Sequence, residues 1–532
     1  MKRFIYIIFL LSATIGTLHE TYSQQHDRHW LGGYGSPFVP DERAVLMRFE
    51  ENGISFSNFH SDIVIDRGVL MMSDKDGELL FYTNGNAVAS WDHKIMQGGK
   101  GFNQGATNDD YGINGTNLVY NTNYNPHTYR IIPDPYEENI YYMIHGFIIE
   151  HGECTRIDAR KMQISKIDMA ANGGKGKVVY KNHYFDEELM GPGYELVRHG
   201  NGRDWWVVLR KQDGLAYRSI LLHRDSVVQV VQSTIPGLGT DWFSWGDCYI
   251  TSDSPFSSSL DGTKLVDKYG RNWAKLLAFD RCSGEVTLLD TFATGIVPLT
   301  FGVWVLDTYI SRFEFSPSGR YLYGAGYAEF AQWDLEAPDI SASKVKLGGV
   351  PWALNEVDQT VMVGIPFGAD IFAHGPDGKM YNMFRTSHSV IHYPDEKGAA
   401  CGLCLAADNA PGSCLGPNVP YFLFSSRHPN YRLGALAGSA CDTIPTSVHE
   451  PSASNGYAVQ VSPNPVSGPA PVEVTITLPA YGSHVTAELQ VVDMLGRVME
   501  RHRFPPYAYL HRLDVSGWPA GLYNVVLLEG GR

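Results

Sequence analysis

Residues 315–323, FSPSGRYLY, place a polar turn that ends at Gly319 directly before an apolar, aromatic segment. Serine, proline and glycine favour tight turns, whereas the tyrosines and the leucine that follow favour a β-strand. The stretch therefore predicts a turn that leads from one β-strand into the next.

The same pattern recurs along the chain. An aspartate-glycine or asparagine-glycine pair closes several copies, and such pairs supply the positive φ that tight hairpins need. Two early copies are DKDG before LLFY, residues 74–82, and PYEEN before IYYM, residues 135–143. The other copies close at glycines spaced 57 to 60 residues apart: Gly202, Gly262, Gly319 and Gly378.

Six copies of this pattern predict one large all-β domain. A unit of about four short strands that repeats four to eight times is typical of a β-propeller. We therefore expect a propeller over residues 29–443, with six blades preferred over seven. The strand-forming residues at 44–56 would complete the last blade or belong to a seventh. An array of β-sandwiches is the alternative, and it would require each unit to close its own core.

Charge and composition restrict the partners. The chain has 532 residues, is 44% hydrophobic and 19% charged, and carries a formal net charge of -15. A chain of this length is expected to hold more than one domain. Because no run of lysine or arginine interrupts the acidic balance, a phosphate backbone would be repelled and we expect no nucleic-acid partner.

The N-terminus has the pattern of a secretory signal peptide over residues 1–23. Lys2 and Arg3 precede an unbroken apolar run at residues 4–11, and small residues at 21 and 23 precede the predicted cleavage point. A membrane-spanning helix needs about 20 apolar residues, so this run is too short to serve as one. No later segment is apolar enough, and we expect no transmembrane segment.

The amino-acid composition of the chain changes after Cys441. Residues 444–460 are rich in serine, proline and threonine and predict a linker. Residues 461–532 alternate apolar and polar side chains, as in VEVTITL at 472–478, and predict a small β-sandwich.

This last segment contains three motifs in order: SPNP at residues 462–465, DMLGRV at 493–498, and LDV at 513–515 followed by AGLY at 520–523. Together they resemble the type A C-terminal sorting domain of the type IX secretion system of Bacteroidetes. The resemblance implies contact with the secretion machinery and its sortase, and a location in the medium or on the outer cell surface, reached through the periplasm. Domains of this family usually continue into one more short strand, so we expect a truncated domain or a weak signal here. The motif residues are Pro463, Asn464, Pro465, Asp493, Gly496, Arg497, Gly521 and Tyr523.

Four segments of the body of the chain are distinctive: residues 72–85, 330–335, 429–434 (PNYRLG) and 438–443 (GSACDT). Through them the body, roughly residues 29–443, resembles a group of uncharacterised Bacteroidetes surface proteins. This resemblance implies no particular activity.

No motif for catalysis, for a metal ion or for a cofactor occurs in the sequence, and we predict no catalytic residue, metal ligand or cofactor. Asp74, Asp76 and Glu78 have part of the spacing of a calcium loop, but an ordinary hairpin turn explains them better. Three histidines beside apolar strands are predicted to be structural: His145, His388 and His392.

Aromatic pairs and cysteines are also expected to serve the fold. Trp205 and Trp206, with the cluster at 242–245, are predicted to be core side chains more than a carbohydrate-binding face. Disulfides are preferred over free thiols or a zinc site for the four clustered cysteines, which are Cys401, Cys404, Cys414 and Cys441.

Two functional classes remain open. The first is an exported, non-catalytic propeller that binds an unknown protein or glycan. The second is a propeller glycoside hydrolase or another glycan-active enzyme. Inward-facing carboxylates clustered at one mouth of the central channel would favour the enzyme.

Overall fold

The structure is a computed structural model, and it divides the chain into two units. Residues 25–443 form the larger unit, and residues 1–24 with 444–532 form the smaller one. Strand β1 (Tyr6–Ile8) belongs to the smaller unit. The described residues are 6–8, 25–33, 44–50, 53–65, 69–102, 129–151, 156–191, 193–211, 215–235, 256–269, 272–301, 304–326, 329–348, 353–354, 361–362, 372–384, 387–405, 414–415, 428–436, 438–439, 441, 458–462, 472–477, 487–493, 497–504, 510–515, 518 and 522–529.

The described part of the larger unit contains seven groups of antiparallel strands, here called blades 1 to 7, and a separate two-stranded ribbon. Blade 1 holds β2 (His29–Gly33), β3 (Ala44–Glu50) and β4 (Gly53–Phe59). Blade 2 holds β5 (Leu70–Ser73), β6 (Leu79–Thr83), β7 (Ala87–Ser90) and β8 (Ile95–Lys100). Blade 3 holds β9 (Tyr129–Pro133), β10 (Ile140–His151), β11 (Arg156–Asp168) and β12 (Lys177–Met190). A single parallel pair, Lys177 with Gln97, joins the last strands of blades 2 and 3 into one eight-stranded sheet.

The next two blades have four strands each, and blade 6 has five. Blade 4 holds β13 (Tyr194–Arg198), β14 (Trp205–Arg210), β15 (Ala216–His223) and β16 (Ser226–Thr234). Blade 5 holds β17 (Ser257–Ser258), β18 (Lys264–Tyr269), β19 (Trp273–Phe279) and β20 (Val286–Ala293). Blade 6 holds β21 (Ile296–Phe301), β22 (Trp304–Phe315), β23 (Tyr321–Gly326), β24 (Phe330–Asp334) and β25 (Val345–Gly348).

A two-stranded ribbon precedes blade 7, and helix is confined to two four-residue segments in the described chain. The ribbon is β26 (Ala353–Leu354) with β27 (Val361–Met362). Blade 7 holds β28 (Phe372–His374), β29 (Met380–Phe384), β30 (Ser387–Ile391) and β31 (Leu403–Cys404). The helical segments are Ala171–Gly174 and Gly398–Cys401.

The predicted turns lead from the first long strand of a blade into the next. In five of them the closing glycine has φ between 69° and 86° and donates its N–H to the carbonyl three residues earlier, at 2.8 to 3.1 Å. The sixth turn, in blade 3, bonds Ile140 N–H to the Glu137 carbonyl at 3.0 Å. A side chain other than glycine rarely adopts such a φ, which explains the repeated residue. The five glycines are Gly77, Gly202, Gly262, Gly319 and Gly378.

Apolar clusters join each blade to the next and close the ring. Blades 4 and 5 share one cluster, blades 5 and 6 another, and blades 6 and 7 a third. Blade 7 then packs on blade 1, where Tyr381 meets the rings of Trp30 and Phe49, each with centroids 5.6 Å apart. The all-β propeller is confirmed, and its closure excludes separate sandwiches.

The described strands fall into seven blades, the larger of the two numbers predicted from the sequence. The six turns mark blades 2 to 7, whereas the sequence between β2 and β3 does not repeat the turn pattern. Counting turns therefore missed blade 1. The strand-forming residues at 44–56 belong to this seventh blade.

The smaller unit has two sheets. One runs in the order β1-β37-β34-β35 and the other in the order β32-β33-β36. Tyr523, Val525 and Leu489 are buried between the strands. The strands are β32 (Ala458–Ser462), β33 (Val472–Thr477), β34 (Ala487–Asp493), β35 (Val498–Phe504), β36 (Leu510–Leu513) and β37 (Leu522–Glu529).

Two sequence predictions fall in this unit. Strand β1 lies inside the predicted signal peptide and pairs in parallel with β37, Tyr6 opposite Leu522 and Ile8 opposite Asn524. Strand β32 begins at Ala458, so the last three residues of the predicted linker 444–460 pair with β33 instead. Residues 444–457 lie outside the described residues. Nowhere in the described chain is a helix both long and apolar enough to cross a membrane.

Candidate functional site

The segment at residues 428–441, here called the terminal strap, crosses the ends of three blades. The Tyr431 hydroxyl donates to the Ile131 carbonyl of blade 3 at 2.8 Å. The Asn430 amide donates to the Leu260 carbonyl of blade 5 at 2.7 Å, and Leu436 N–H donates to the Gly200 carbonyl in the β13–β14 turn of blade 4 at 2.8 Å. The strap therefore covers the predicted turns of blades 4 and 5.

An ion pair connects the strap to the start of the propeller. Arg432 donates two hydrogen bonds to the Asp27 carboxylate, at 2.6 and 2.8 Å. Beside it, His26 bonds the Ser73 carbonyl of blade 2 through Nδ1 at 2.7 Å. None of the described sheets combines strands from both ends of the propeller, so these side chains join the two ends.

In this buried cluster the negative charge of Asp27 is paired with the positive charge of Arg432. Burial raises the pKa of Asp27, but the charge and hydrogen bonds of Arg432 outweigh burial and hold the pKa below its usual value. Burial lowers the pKa of His26 to about 4, although its bond to the Ser73 carbonyl opposes the shift. At neutral pH the cluster thus contains a carboxylate paired with a guanidinium and a neutral imidazole.

Two further carboxylates lie on the innermost strands of the blades, and each has a basic partner. Glu195 on β13 is 3.7 Å from Arg130 on β9. Glu314 on β22 is 3.4 Å from His374 on β28 and accepts a 3.2 Å hydrogen bond from the Ser257 hydroxyl on β17. Contact between side chains of three successive blades shows that these strands line the centre of the ring.

A glycosidase needs a different arrangement. It uses two carboxyl groups that face the same bond, one of them with a pKa raised so that it can donate a proton. In the described part of the ring, Asp27, Glu195 and Glu314 each face a cation or an imidazole. A cationic neighbour favours the ionised form of a carboxyl group, and an ionised carboxylate has no proton to donate to a leaving group.

The three histidines predicted to be structural differ in how deeply they are buried. His145 is fully buried, its Nε2 is 2.9 Å from the Ser165 hydroxyl, and burial lowers its pKa to about 3. His388 is also fully buried on β30. His392 is half-buried, and its ring lies 6.3 Å from that of Tyr393.

The acidic turn and the tryptophan pair have structural roles. The Asp74 carboxylate accepts the N–H groups of Asp76 and Glu78, both at 2.9 Å, which closes the hairpin. Trp205 and Trp206 are 2% and 0% exposed and pack in the core. The aromatic cluster at 242–245 lies outside the described residues.

Two disulfides are present, and one of them reaches beyond the predicted cysteine cluster. Cys404 pairs with Cys414, ten residues away. Cys441 at the end of the strap pairs with Cys282 in the β19–β20 turn of blade 5, 159 residues away. Among the described cysteines Cys401 is a free thiol, buried beneath blade 7, and burial raises its pKa.

The predicted sorting residues are partly described. Asp493 is opposite Tyr523 in the β34–β37 pair, and the Tyr523 ring lies 4.9 Å from that of Trp518. Arg497 is exposed at the start of β35. Pro463, Asn464, Pro465, Gly496 and Gly521 lie outside the described residues, so the structure does not place them together.

Sequence reasoning missed the closing cluster. The segment 429–434 was matched as a resemblance, but nothing local indicated that Arg432 pairs with a residue 405 positions away. The isolated acid Asp27, directly before β2, was the available signal.

Comparison with known proteins identifies the C-terminal segment. The family described as the secretion system C-terminal sorting domain matches residues 460–532. The chain therefore carries a type IX sorting domain, which directs it out of the cell, to the surface or the medium. No curated protein matches the chain.

Solved structures similar to this chain include three with low sequence identity. A functionally unknown protein from Desulfotomaculum acetoxidans is 11% identical with a TM-score of 0.36, covering 75% of this chain and 99% of that one. A β-propeller domain from Myceliophteria thermophila is 10% identical with a TM-score of 0.31, covering 66% and 91%. Sqt1 from Saccharomyces cerevisiae is 9% identical with a TM-score of 0.32, covering 73% and 98%.

Proposed function

We propose that this protein is a type IX secretion cargo whose propeller binds a partner outside the cell and catalyses no reaction. The observation that carries the proposal is the pairing of the central carboxylates with bases. Asp27 holds Arg432, Glu195 lies beside Arg130, and Glu314 lies beside His374. These pairs connect blade 3 with blade 4, blade 6 with blade 7 and the two ends of the propeller, which is the role of a scaffold.

The ring suits a binding scaffold for a further reason. Its blades pack through continuous apolar clusters, so loops and edges on the outside are held in fixed positions. Binding to a preformed surface avoids the entropy cost of ordering it. The sorting domain then serves to deliver the propeller to its partner, and the secretion machinery and sortase are partners in transit alone.

A hydrolysis assay tests the absence of catalysis. Purified mature protein is incubated with bacterial surface polysaccharides, and released reducing ends are measured for wild type, Glu314→Gln and Glu195→Gln. We expect all three proteins to match the rate without protein, because each of these carboxylates faces a basic side chain and no second carboxylate among the described residues shares its site. Release of sugar by the wild type that Glu314→Gln or Glu195→Gln abolishes would establish the glycan-active enzyme instead.

A further inference from the structure

An open cleft lies between the last strands of blades 4 and 5, away from the central cluster. Its volume is about 560 Å³, within the range of ligand sites in proteins. Gln229 and residues 231–235 form one wall, along β16 and just beyond it. Ser283 and residues 285–288 form the other wall, at the beginning of β20.

Strand edges form these walls. Alternate residues line a cleft bounded by the face of a sheet, because side chains of a strand point to opposite faces. Here consecutive residues line both walls, so the backbone itself borders the cleft. Within the described chain β16 pairs with β15 alone. Among the described residues its second edge therefore presents a row of N–H and C=O groups with which an added strand can pair.

The cleft is held in shape by the two blades. Val286 N–H donates to the Ser233 hydroxyl at 2.9 Å, and the Gln229 amide donates to the Ser283 carbonyl at 3.4 Å. Behind these contacts, Val286 and Trp206 pack in the apolar cluster that joins blade 4 to blade 5. The site is therefore preformed, which reduces the cost of binding.

Exposed apolar side chains flank the cleft at β-bulges. The β15–β16 register skips Val228, and the β19–β20 register skips Leu289. These side chains are 55% and 53% exposed, and the preceding Val227 and Leu288 are each 38% exposed. Bulges re-aim side chains at sheet edges and are features of binding sites. Val179 occupies the matching bulge of blade 3, is 50% exposed and does not line the cleft.

The side chains that line the cleft are mostly uncharged and include no aromatic ring, which disfavours highly charged ligands and sugars. Strand β16 carries no charged side chain, and Glu285 is the single charged residue among those that line the cleft. A highly charged ligand would lose its hydration without gaining partners. The lining holds no aromatic ring, whereas sugar sites use aromatic faces.

We propose that this cleft binds an extended, uncharged segment of a partner polypeptide. The segment adds to the edge of β16 that no described strand occupies, and its alternate apolar side chains contact Val228 and Leu289, which is the strand-addition mode of peptide recognition. The inference rests on the proposed function as a binding protein and gives it a site and a class of partner.

The test uses the mature full-length protein and an array of immobilised peptides of about eight residues, the length of an ordinary strand. One set alternates valine with serine or threonine, and a matched set carries aspartate or lysine in place of valine. Immobilised bacterial surface polysaccharides complete the array. Thr287→Trp fills the cleft from an exposed position, and Val228→Lys places a charge at its rim. Val179→Lys is the matched control at the equivalent bulge.

We expect the wild type to bind the uncharged set in preference to the charged set. Thr287→Trp and Val228→Lys should each weaken that binding by about tenfold or more, and Val179→Lys should leave it unchanged. Thermal unfolding of each variant shows whether it folds, and the two cleft substitutions lie at exposed positions of separate blades.

Three results would overturn the inference. They are the absence of peptide binding, unchanged binding by both cleft variants, and an equal loss in Val179→Lys. Binding to the polysaccharides alone, unaffected by the cleft variants, would also overturn it but leave the proposed function standing. Cleavage of the polysaccharides would instead refute the proposed function.

Discussion

Replacing Cys282 and Cys441 together by serine is expected to lower the free energy of unfolding of the propeller by about 5 kcal/mol. Their disulfide closes a segment of 159 residues, and the entropy of the unfolded chain increases with the length of the loop that is released. The same bond holds the end of the terminal strap against blade 5, and the strap also carries Arg432 of the ion pair that joins the two ends of the propeller.

Urea unfolding measures this loss, and the second disulfide supplies the control. Cys404 and Cys414 enclose ten residues, so their double serine variant should lose about 3 kcal/mol. The strap of the first variant should also be cut by trypsin at Arg432 sooner than in the wild type. Equal losses from the two variants, or a smaller loss from the longer loop, would show that the strap does not hold the ring.

Acidification from pH 7 to pH 5 is expected to destabilise the propeller by about 6 kcal/mol through three buried histidines. Burial lowers the pKa values of His26 and His29 to about 4 and that of His145 to about 3. In the unfolded chain a histidine takes up a proton near pH 6.5, whereas these three stay neutral in the folded protein until pH 4 or below. The unfolded state therefore binds more protons as the pH falls.

Because the unfolded state binds more protons, lowering the pH lowers the free energy of unfolding. The stability that the three histidines contribute is complete above about pH 6.5 and is lost as the pH falls toward 4, at about 2 kcal/mol per histidine at pH 5. Since whole domains are stable by about 5 to 15 kcal/mol, the loss should bring the propeller close to unfolding.

Denaturant unfolding at several pH values tests this prediction. His145→Gln should be less stable than the wild type at pH 7, but it should lose about 2 kcal/mol less between pH 7 and pH 5. His60→Gln, at an exposed position, is the control and should keep the wild-type slope. A slope that His145→Gln leaves unchanged would mean that burial of these imidazoles does not govern the acid response.

Local signals in the sequence were sufficient for the repeated turns and for the sorting domain. A glycine with positive φ after a short polar turn depends on four or five neighbouring residues, so Gly202, Gly262, Gly319 and Gly378 could be recognised without a structure. The sorting motifs are likewise local, and the family match at 460–532 confirms the sorting domain that they predicted.

Long-range features could not be predicted in the same way. Blade 1 lacks the turn pattern, so its strands were left without a certain place in the ring. Cys282 stands apart from the cysteine cluster, and its pairing with Cys441 requires blade 5 and the strap to meet first. The cleft beside β16 depends on two bulges, and a bulge becomes visible only when both strands of a pair are in register.

The most direct test of the account is where the propeller is found when the sorting domain is removed. A host with a type IX secretion system expresses the full chain or a chain without residues 444–532, and the protein is quantified in periplasm, on the surface and in the medium. We predict that the full chain leaves the periplasm and that the shortened chain stays there, folded with the thermal stability of the intact propeller, because the ring has its own core. A host without the secretion channel should retain both chains. Equal release of the two chains, or failure of the shortened chain to fold, would contradict the account.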